Sequence, residues 1–333
     1  MNKISVSIRD VARETGLSTA TISRVINGGH KVSDETRRQV LDACARLDYL
    51  PNPAARALST SRTKAVAAII PTIEHSVFAK FITAVEHTLA ERGYSLIIAI
   101  SNADEVEELA AARKLLGMGA DAFILSGQVH SDALLGMLGR RQVPFVFTSV
   151  WDADSTRPTI GYDNAALAQA ALDHLRGLGH RRVAVVHGPL GESDRTRARR
   201  AGAETMRDAF EALAFFETPV SVAGGKAGAA QALHAEGAFT SLLCSSDVIA
   251  LGAYFALAEA GLQVPDDISV MGFDNLDWAS AVAPPLTTLD LPAIRMGEVA
   301  AAQIVDFLED DVPLRSELLP AEVIARGSVR NLD

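Results

Sequence analysis

From residue 64 onward the chain alternates short, uninterrupted apolar runs with helix-forming stretches, and this alternation leaves few folds open. The apolar runs predict strands at 65–70, 95–100, 122–126, 145–149, 182–186, 219–222, 241–244 and 269–273. Helical patterns at 77–92, 105–117, 164–177, 197–213, 246–261 and 293–309 separate most of them. A strand that is apolar throughout, rather than at every second position, is covered on both faces. Parallel strands meet that requirement, because each crossover helix lies on a face of the sheet. Eight or so such units are more than one compact sheet holds, so two doubly wound lobes are expected. Ligands of such sheets sit at the carboxyl ends of the strands. A cleft between two lobes lets both close on one ligand. With 48% apolar residues among 333, the chain has material for cores of this size. The cluster Gly224-Gly225-Lys226-Ala227 lacks the spacing of a phosphate-binding loop and reads as a turn.

The first 64 residues follow another pattern and carry the opposite charge. They hold 11 Lys and Arg against 6 Asp and Glu, a net of +5, whereas the remainder holds 20 against 35, a net of −15. The overall −10 therefore conceals a basic head on an acidic body, and a local basic excess is the footprint of a nucleic-acid partner. Ser7 is a helix N-cap, with Asp10 at the third helical position. Ile8, Val11 and the small Ala12 share one face, and Gly16 breaks the run in a tight turn. Ser18 is a second cap. A second helix follows over 19–26, with Ile22, Val25 and Ile26 inward. A third begins at Ser33, carries Asp34 and Glu35 in its first turn, and runs through Val40, Leu41, Ala43, Cys44 and Leu47. Two short helices across a glycine turn, with a third behind them, describe a helix-turn-helix. On helical pattern alone, a three-helix bundle without a nucleic-acid partner is the competing reading.

The order of residues is more specific than the pattern. Asp10-Val11-Ala12, Leu17-Ser18, Thr21-Ile22-Ser23-Arg24-Val25, Asn27, Val32-Ser33, Thr36-Arg37, Tyr49-Leu50-Pro51-Asn52 and Ala55-Arg56-Ala57-Leu58 resemble the headpiece and hinge of the LacI/GalR family of bacterial transcription regulators. The body is similar to that family's core through Gly179-His180-Arg181-Arg182-Val183-Ala184, Asp247 with Ala250-Leu251-Gly252-Ala253, residues 264–274, and Pro284-Pro285-Leu286-Thr287-Thr288-Leu289. The resemblance covers essentially 5–329. It implies an N-terminal all-α helix-turn-helix headpiece with a hinge helix, followed by an α/β two-lobed periplasmic-binding-protein-like core of two doubly wound parallel sheets. The expected divisions are a headpiece at 1–50, a hinge helix and linker at 51–63, and an effector-binding and dimerisation core at 64–333. Within the core, one lobe takes about 64–161 and 291–321, the other about 162–290 and 322–330.

The resemblance also implies roles. Thr19, Ala20 and Arg24 stand at the base-reading positions of the second helix. There Arg24 can donate twice to a guanine edge, and Thr19 and Ala20 offer methyl groups to thymine. Arg9, Thr21, Ser23, Asn27, Thr36 and Arg37 match positions that meet phosphates, which set register rather than sequence. Ser18 and Ser33 can equally be caps alone, and Arg37 a solvated charge. The stretch 54–58 has little to bury, and isolated helices so short are marginal in water. It is expected to fold when docked, with Asn52 and Ala55 beside the DNA and Leu58 wedged at the central base step in the minor groove.

For the effector, the resemblance places Asp274, just after a strand, where the family contacts a pair of ligand hydroxyls, and a carboxylate can accept both. Arg199, three residues before Gly202, matches a ligand arginine. Glu74 and Phe78, in the loop after the first strand, are expected to face the cleft. Trp151 is a candidate apolar wall. Ser149 and Ser246 depart from the Asp and Asn common among sugar-responsive relatives, which argues against a simple hexose. A loop aspartate satisfied by its own turn competes for Asp274. A solvated basic face competes for Arg199, which sits among Arg195, Arg197 and Arg200.

An enzyme is the contrasting class. The chain has no G-x-x-x-x-G-K-[ST], no HExxH, no G-x-S-x-G and no spaced His/Cys ligand set, so neither a metal nor a cofactor is expected. Cys44 and Cys244 lie in apolar surroundings far apart in sequence, and read as buried thiols of a reducing compartment. Residues 1–7 show no apolar signal region, and the run 65–70 is far too short for a bilayer, so a soluble cytoplasmic protein is expected. No heptad-bearing tail follows the last core strand, which favours a homodimer. The combined expectation is a repressor that binds a double-stranded DNA operator under control of a sugar, sugar acid or polyol. The alternative is a co-repressor-dependent regulator sensing a purine-like or other non-sugar metabolite.

Overall fold

The computed structural model describes residues 6–26, 32–50, 62–74, 76–236 and 238–333 and divides into two units, Met1–Thr63 and Lys64–Asp333. In the first unit, helices α1 (Ile8–Thr15), α2 (Thr19–Ile26) and α3 (Asp34–Arg46) follow from local signals. Ser7 and Asp10 close the start of α1, where the backbone N–H and Oγ of Ser7 both donate to Asp10 Oδ2. Gly16 ends α1 in the left-handed region at φ 71°, with its N–H on Ala12 O. Ser18 Oγ accepts the N–H of Thr21, and Ser33 Oγ accepts that of Thr36. Val11, Ile22, Val25, Val40 and Ala43 are buried between the helices, and a buried Val or Ile stabilises by roughly 1.5–3 kcal/mol. Gln39 Nε2 donates to Thr15 O and so ties α3 to the end of α1. One expectation needs correction: Cys44 is only half-buried, because α3 turns Val40 and Ala43 inward instead.

The second unit holds two six-stranded sheets. The first is built from β1 (Ala65–Ile70), β2 (Ser95–Ile100), β3 (Ala122–Ser126), β4 (Phe145–Thr148), β5 (Thr159–Gly161) and a late strand, β11 (Glu317–Leu318). Its order is β11-β5-β4-β3-β1-β2, and every pairing is parallel. The second comprises β6 (Arg182–His187), β7 (Ala212–Glu217), β8 (Ser241–Cys244), β9 (Ser269–Phe273), β10 (Thr287–Asp290) and β12 (Glu322–Ile324). Its order is β12-β10-β9-β8-β6-β7, parallel except where β12 meets β10. In chain order the crossover helices are α4 (Ser76–Glu91), α5 (Glu105–Gly117), α6 (Asp132–Arg140), α7 (Asn164–Gly177), α8 (Asp194–Glu204), α9 (Val222–His234), α10 (Asp247–Glu259) and α11 (Ala293–Asp310). One apolar core runs from Val66 and Ile124 of the first sheet through Leu172 to Val185 and Met271 of the second. Each sheet has a further core on its other face.

Three local expectations are overturned together. The stretch 219–222 is not a strand, the helix expected at 197–213 ends at Glu204, and Gly224-Gly225-Lys226-Ala227 lies inside α9 rather than in a turn. Ser221 Oγ accepts the N–H of Gly224 and starts that helix. The strand is instead Ala212–Glu217, in parallel register with β6 from Arg182 opposite Ala212 to His187 opposite Glu217. An Ala-Leu-Ala-Phe-Phe run suits either a helix or a strand, and only the neighbouring edge of β6 decides.

Candidate nucleic-acid interface and ligand cleft

Burial of Ile22 and Val25 orients α2, and the opposite side of that helix presents Thr19, Ala20 and Arg24 to solvent. Arg9 and Ser18 are exposed beside this face, while Thr21, Ser23, Thr36 and Arg37 are half-buried. Ser18 also shares a hydroxyl contact of 2.9 Å with Thr21, as Ser33 does with Thr36, so these residues brace the helix starts. Asn27, Asn52, Ala55 and Leu58 lie outside the described residues.

In the second unit a cavity of about 330 Å³ opens between the two sheets. Val77, Phe78, Phe81, Leu291 and Met296 supply an apolar wall, and Arg199, Ser245, Ser246 and Asp274 supply a polar one. Of the residues anticipated here, the cavity brings together Phe78, Ser149, Arg199, Ser246 and Asp274. Phe78 stands in the first turn of α4 rather than in the preceding loop, because that helix begins at Ser76. Glu74 is exposed between β1 and α4 and does not line the cavity. Trp151 does not line it either; its N–H donates to Tyr162 O along the neighbouring backbone.

Arg199 is held rather than solvated. Its Nε donates to Asn164 Oδ1 at 2.9 Å, its Nη1 donates to Ser245 O at 3.0 Å, and its guanidinium lies over the Phe273 ring at 4.7 Å. Asn164 in turn donates to Ser149 O at 3.0 Å, so one amide aligns two cavity residues. Ser149 sits at φ 65°, an unusual backbone position for a residue with a side chain. Tyr162 is buried behind it, and burial pushes its phenol up, partly offset by the Arg199 charge. Asn102, Tyr162, Arg195 and Thr196 also line the cavity and were not anticipated. The basic run from Arg195 to Arg200 carried the signal for Arg195; Asn102 and Tyr162 offered none, since only sheet pairing brings them here. Within the second unit, Asp194 ties the start of α8 to the loop after β3, its Oδ2 accepting the N–H groups of Gln128 and Val129.

Asp274 follows β9 at φ 111°, and Asn275 continues at φ 50°. Ser246, the N-cap of α10, donates from Oγ to Asp274 Oδ2 at 2.9 Å. Beneath them Asp247 is fully buried, accepting the Leu276 N–H at 2.8 Å and the Thr288 hydroxyl at 2.6 Å. Burial, and then the charge of Asp274, push Asp247 above its ordinary value of 3.8, while the Thr288 and Leu276 hydrogen bonds and Arg326 pull the other way. A carboxyl raised on folding keeps a proton that the unfolded chain gives up. Its contribution to stability is therefore complete at acid pH and lost as pH rises through the folded value. We expect wild-type stability to fall relative to D247N as pH rises from about 4. Urea denaturation at several pH values measures this, and parallel curves for the two proteins would contradict it.

Residues 7–52 match the model of the lacI family of bacterial regulatory proteins, and residues 172–329 match the periplasmic binding protein-like domain. The chain is 31% identical to the HTH-type transcriptional repressor PurR of Glaesserella parasuis, across 98% of this chain and 99% of that one. It is 28% identical to the ribose operon repressor of Haemophilus influenzae, again across 98% and 99%. Among solved structures, the Lac repressor dimer bound to operator and the anti-inducer ONPF superposes with a TM-score of 0.87 at 26% identity, across 98% and 99% of the two chains. These relatives are repressors rather than enzymes. Among the described residues no helix is long and apolar enough to cross a membrane.

Proposed function

Because the chain belongs to the lacI family of bacterial regulatory proteins, we propose that it is an operator-binding repressor whose DNA affinity is set by a small polyhydroxylated effector in the cleft. The observation that carries this reading is the opposition, across one cavity, of Arg199, Ser246 and Asp274 to the wall of Phe78, Phe81 and Met296. A carboxylate and a guanidinium recognise hydroxyl or carboxylate oxygens, and an apolar wall covers the non-polar face of a ring. This favours a sugar, sugar acid or polyol, with Ser149 beside it. On the same reading α2 enters a major groove. There Arg24 takes a guanine edge, Thr19 and Ala20 take thymine methyls, and Arg9, Ser18, Thr21, Ser23, Thr36 and Arg37 brace the phosphates.

The likeness to a Lac repressor dimer on operator supports a homodimer acting on a near-palindromic site. Such a regulator works where the chromosome is, in the cytoplasm. Effector and operator must influence each other reciprocally, with a coupling of roughly 1–3 kcal/mol. Melting the full-length protein against sugars, sugar acids, polyols and purines tests the effector class, since a ligand of the folded state raises its stability by mass action. A shift confined to purines would overturn the polyol reading. For the DNA half, Arg24→Ala should cost about 1–3 kcal/mol at one base pair per half-site and relax specificity there. Binding measured across single-base operator variants decides; an equal loss on all of them would contradict base readout by Arg24.

A further inference from the structure

The turn that presents Asp274 is unusual in needing support from below. Two consecutive non-glycine residues, Asp274 and Asn275, stand at positive φ, a conformation that costs free energy and persists only where the surroundings impose it. The surroundings are polar and almost completely specified. Asp247 Oδ2 accepts Leu276 N–H, and its Oδ1 accepts the Thr288 hydroxyl. The same Thr288 oxygen accepts Asn275 N–H at 3.4 Å, and Asn275 Nδ2 donates to Asp290 Oδ1. Arg326 closes the ring, donating to Asn275 Oδ1 and Leu286 O. Room for the Asp247 carboxylate exists because residue 272 is glycine: a Cβ there would lie 2.2 Å from Asp247 Oδ1. The turn is also a bridge between the sheets, since Lys80 of α4 donates to Asn275 O at 3.2 Å and pairs with Asp277 at 2.7 Å.

We propose that Asp247 is a positioning residue for the effector: it never meets the ligand, but pins Leu276 and Thr288 so that Asp274 is held with its carboxylate at the cleft. The proposal rests on the reading that Asp274 meets the effector, but its own test needs no ligand. Asp247 is turned inward, away from the cavity lining. Its partners are a backbone N–H and a hydroxyl, so an asparagine can satisfy both without a charge: the amide oxygen accepts from Leu276 and the amide N–H donates to the Thr288 oxygen. An alanine satisfies neither.

Peptide-resolved amide hydrogen exchange on the full-length protein therefore separates the variants. In D247A, exchange over 274–278 is expected to accelerate at least about tenfold, while β8 and β9 keep their protection. In D247N, exchange over 274–278 should return to within about twofold of wild type. Unchanged exchange in D247A, acceleration spread evenly over the second sheet, or failure of D247N to rescue would each overturn the proposal. Should D247A not fold, T288V removes the bridging hydroxyl at nearly constant volume. It should accelerate the same segment, and native-like exchange there would overturn the proposal instead. An Asp274→Ala protein that keeps its effector response would sink the ligand reading while leaving the exchange result intact, so the two failures are distinguishable.

Discussion

Asp274→Ala is expected to abolish the effector's influence on operator binding while leaving operator affinity without effector within about twofold of wild type. The carboxylate lines the cavity beside Arg199, and Ser246 already orients one of its oxygens. Hydrogen bonds from a ligand to a charged group contribute roughly 1.5–3 kcal/mol each. Losing two of them removes most of the differential binding from which a coupling of about 1–3 kcal/mol can be drawn. The measurement is an operator titration, with and without the compound that raises the wild-type melting temperature. A variant whose operator affinity still shifts with that compound would show that Asp274 is not the contact that matters. A variant that also loses operator binding would show a folding defect instead, which its own melting curve would reveal.

Gly252→Ala is expected to destabilise the second unit by about 2–4 kcal/mol, although alanine is the better helix former by about 1 kcal/mol. Helices α9 and α10 approach so closely that a Cβ at 252 would stand 2.2 Å from Val222 O and 2.5 Å from Lys226 N. The facing position repeats the restriction, since a Cβ at Gly225 would lie 2.2 Å from Ile249 O. Every one of these neighbours is backbone, which cannot rotate away as a side chain can. The pair of helices would have to separate, opening the core that contains Ala229, Ala232, Ile249 and Ala253. Gly177→Ala is the control, because nothing lies within 4 Å of a Cβ there and the residue closes α7 without positive φ. Urea denaturation should show Gly177→Ala neutral or slightly stabilised and Gly252→Ala clearly weakened. Equal stability of the two variants would mean that the helices are not in this contact.

The contrast between those glycines shows where sequence reading loses its hold. Gly16 is legible because its role is local: it ends α1 in a left-handed turn that its own sequence neighbours require. Gly225 and Gly252 are small for the sake of residues on another helix, and a glycine pair in sequence looks like a turn. The ligand cleft divides in the same way. Asp274 and Arg199 could be singled out from their places in a motif, and the cavity holds both. Glu74 stands in the loop after the first strand, and yet it is exposed. Asn164, which aligns Arg199 with Ser149, carries no mark in sequence, because its partners lie on other elements.

The sequence by itself determined the two kinds of unit, the helix starts and stops of the head, and the parallel α/β character of the body. Each of these is written in residues close along the chain: a cap with its third neighbour, an apolar run with its own period, a local excess of charge. The tertiary structure alone decided that 212–217 is a strand and 224–227 a helix, which residues share the cleft, and that a buried Asp247 underlies the turn of Asp274. These outcomes depend on pairing, close approach and burial among groups far apart in sequence, and such free energies exist only once the sheets have formed.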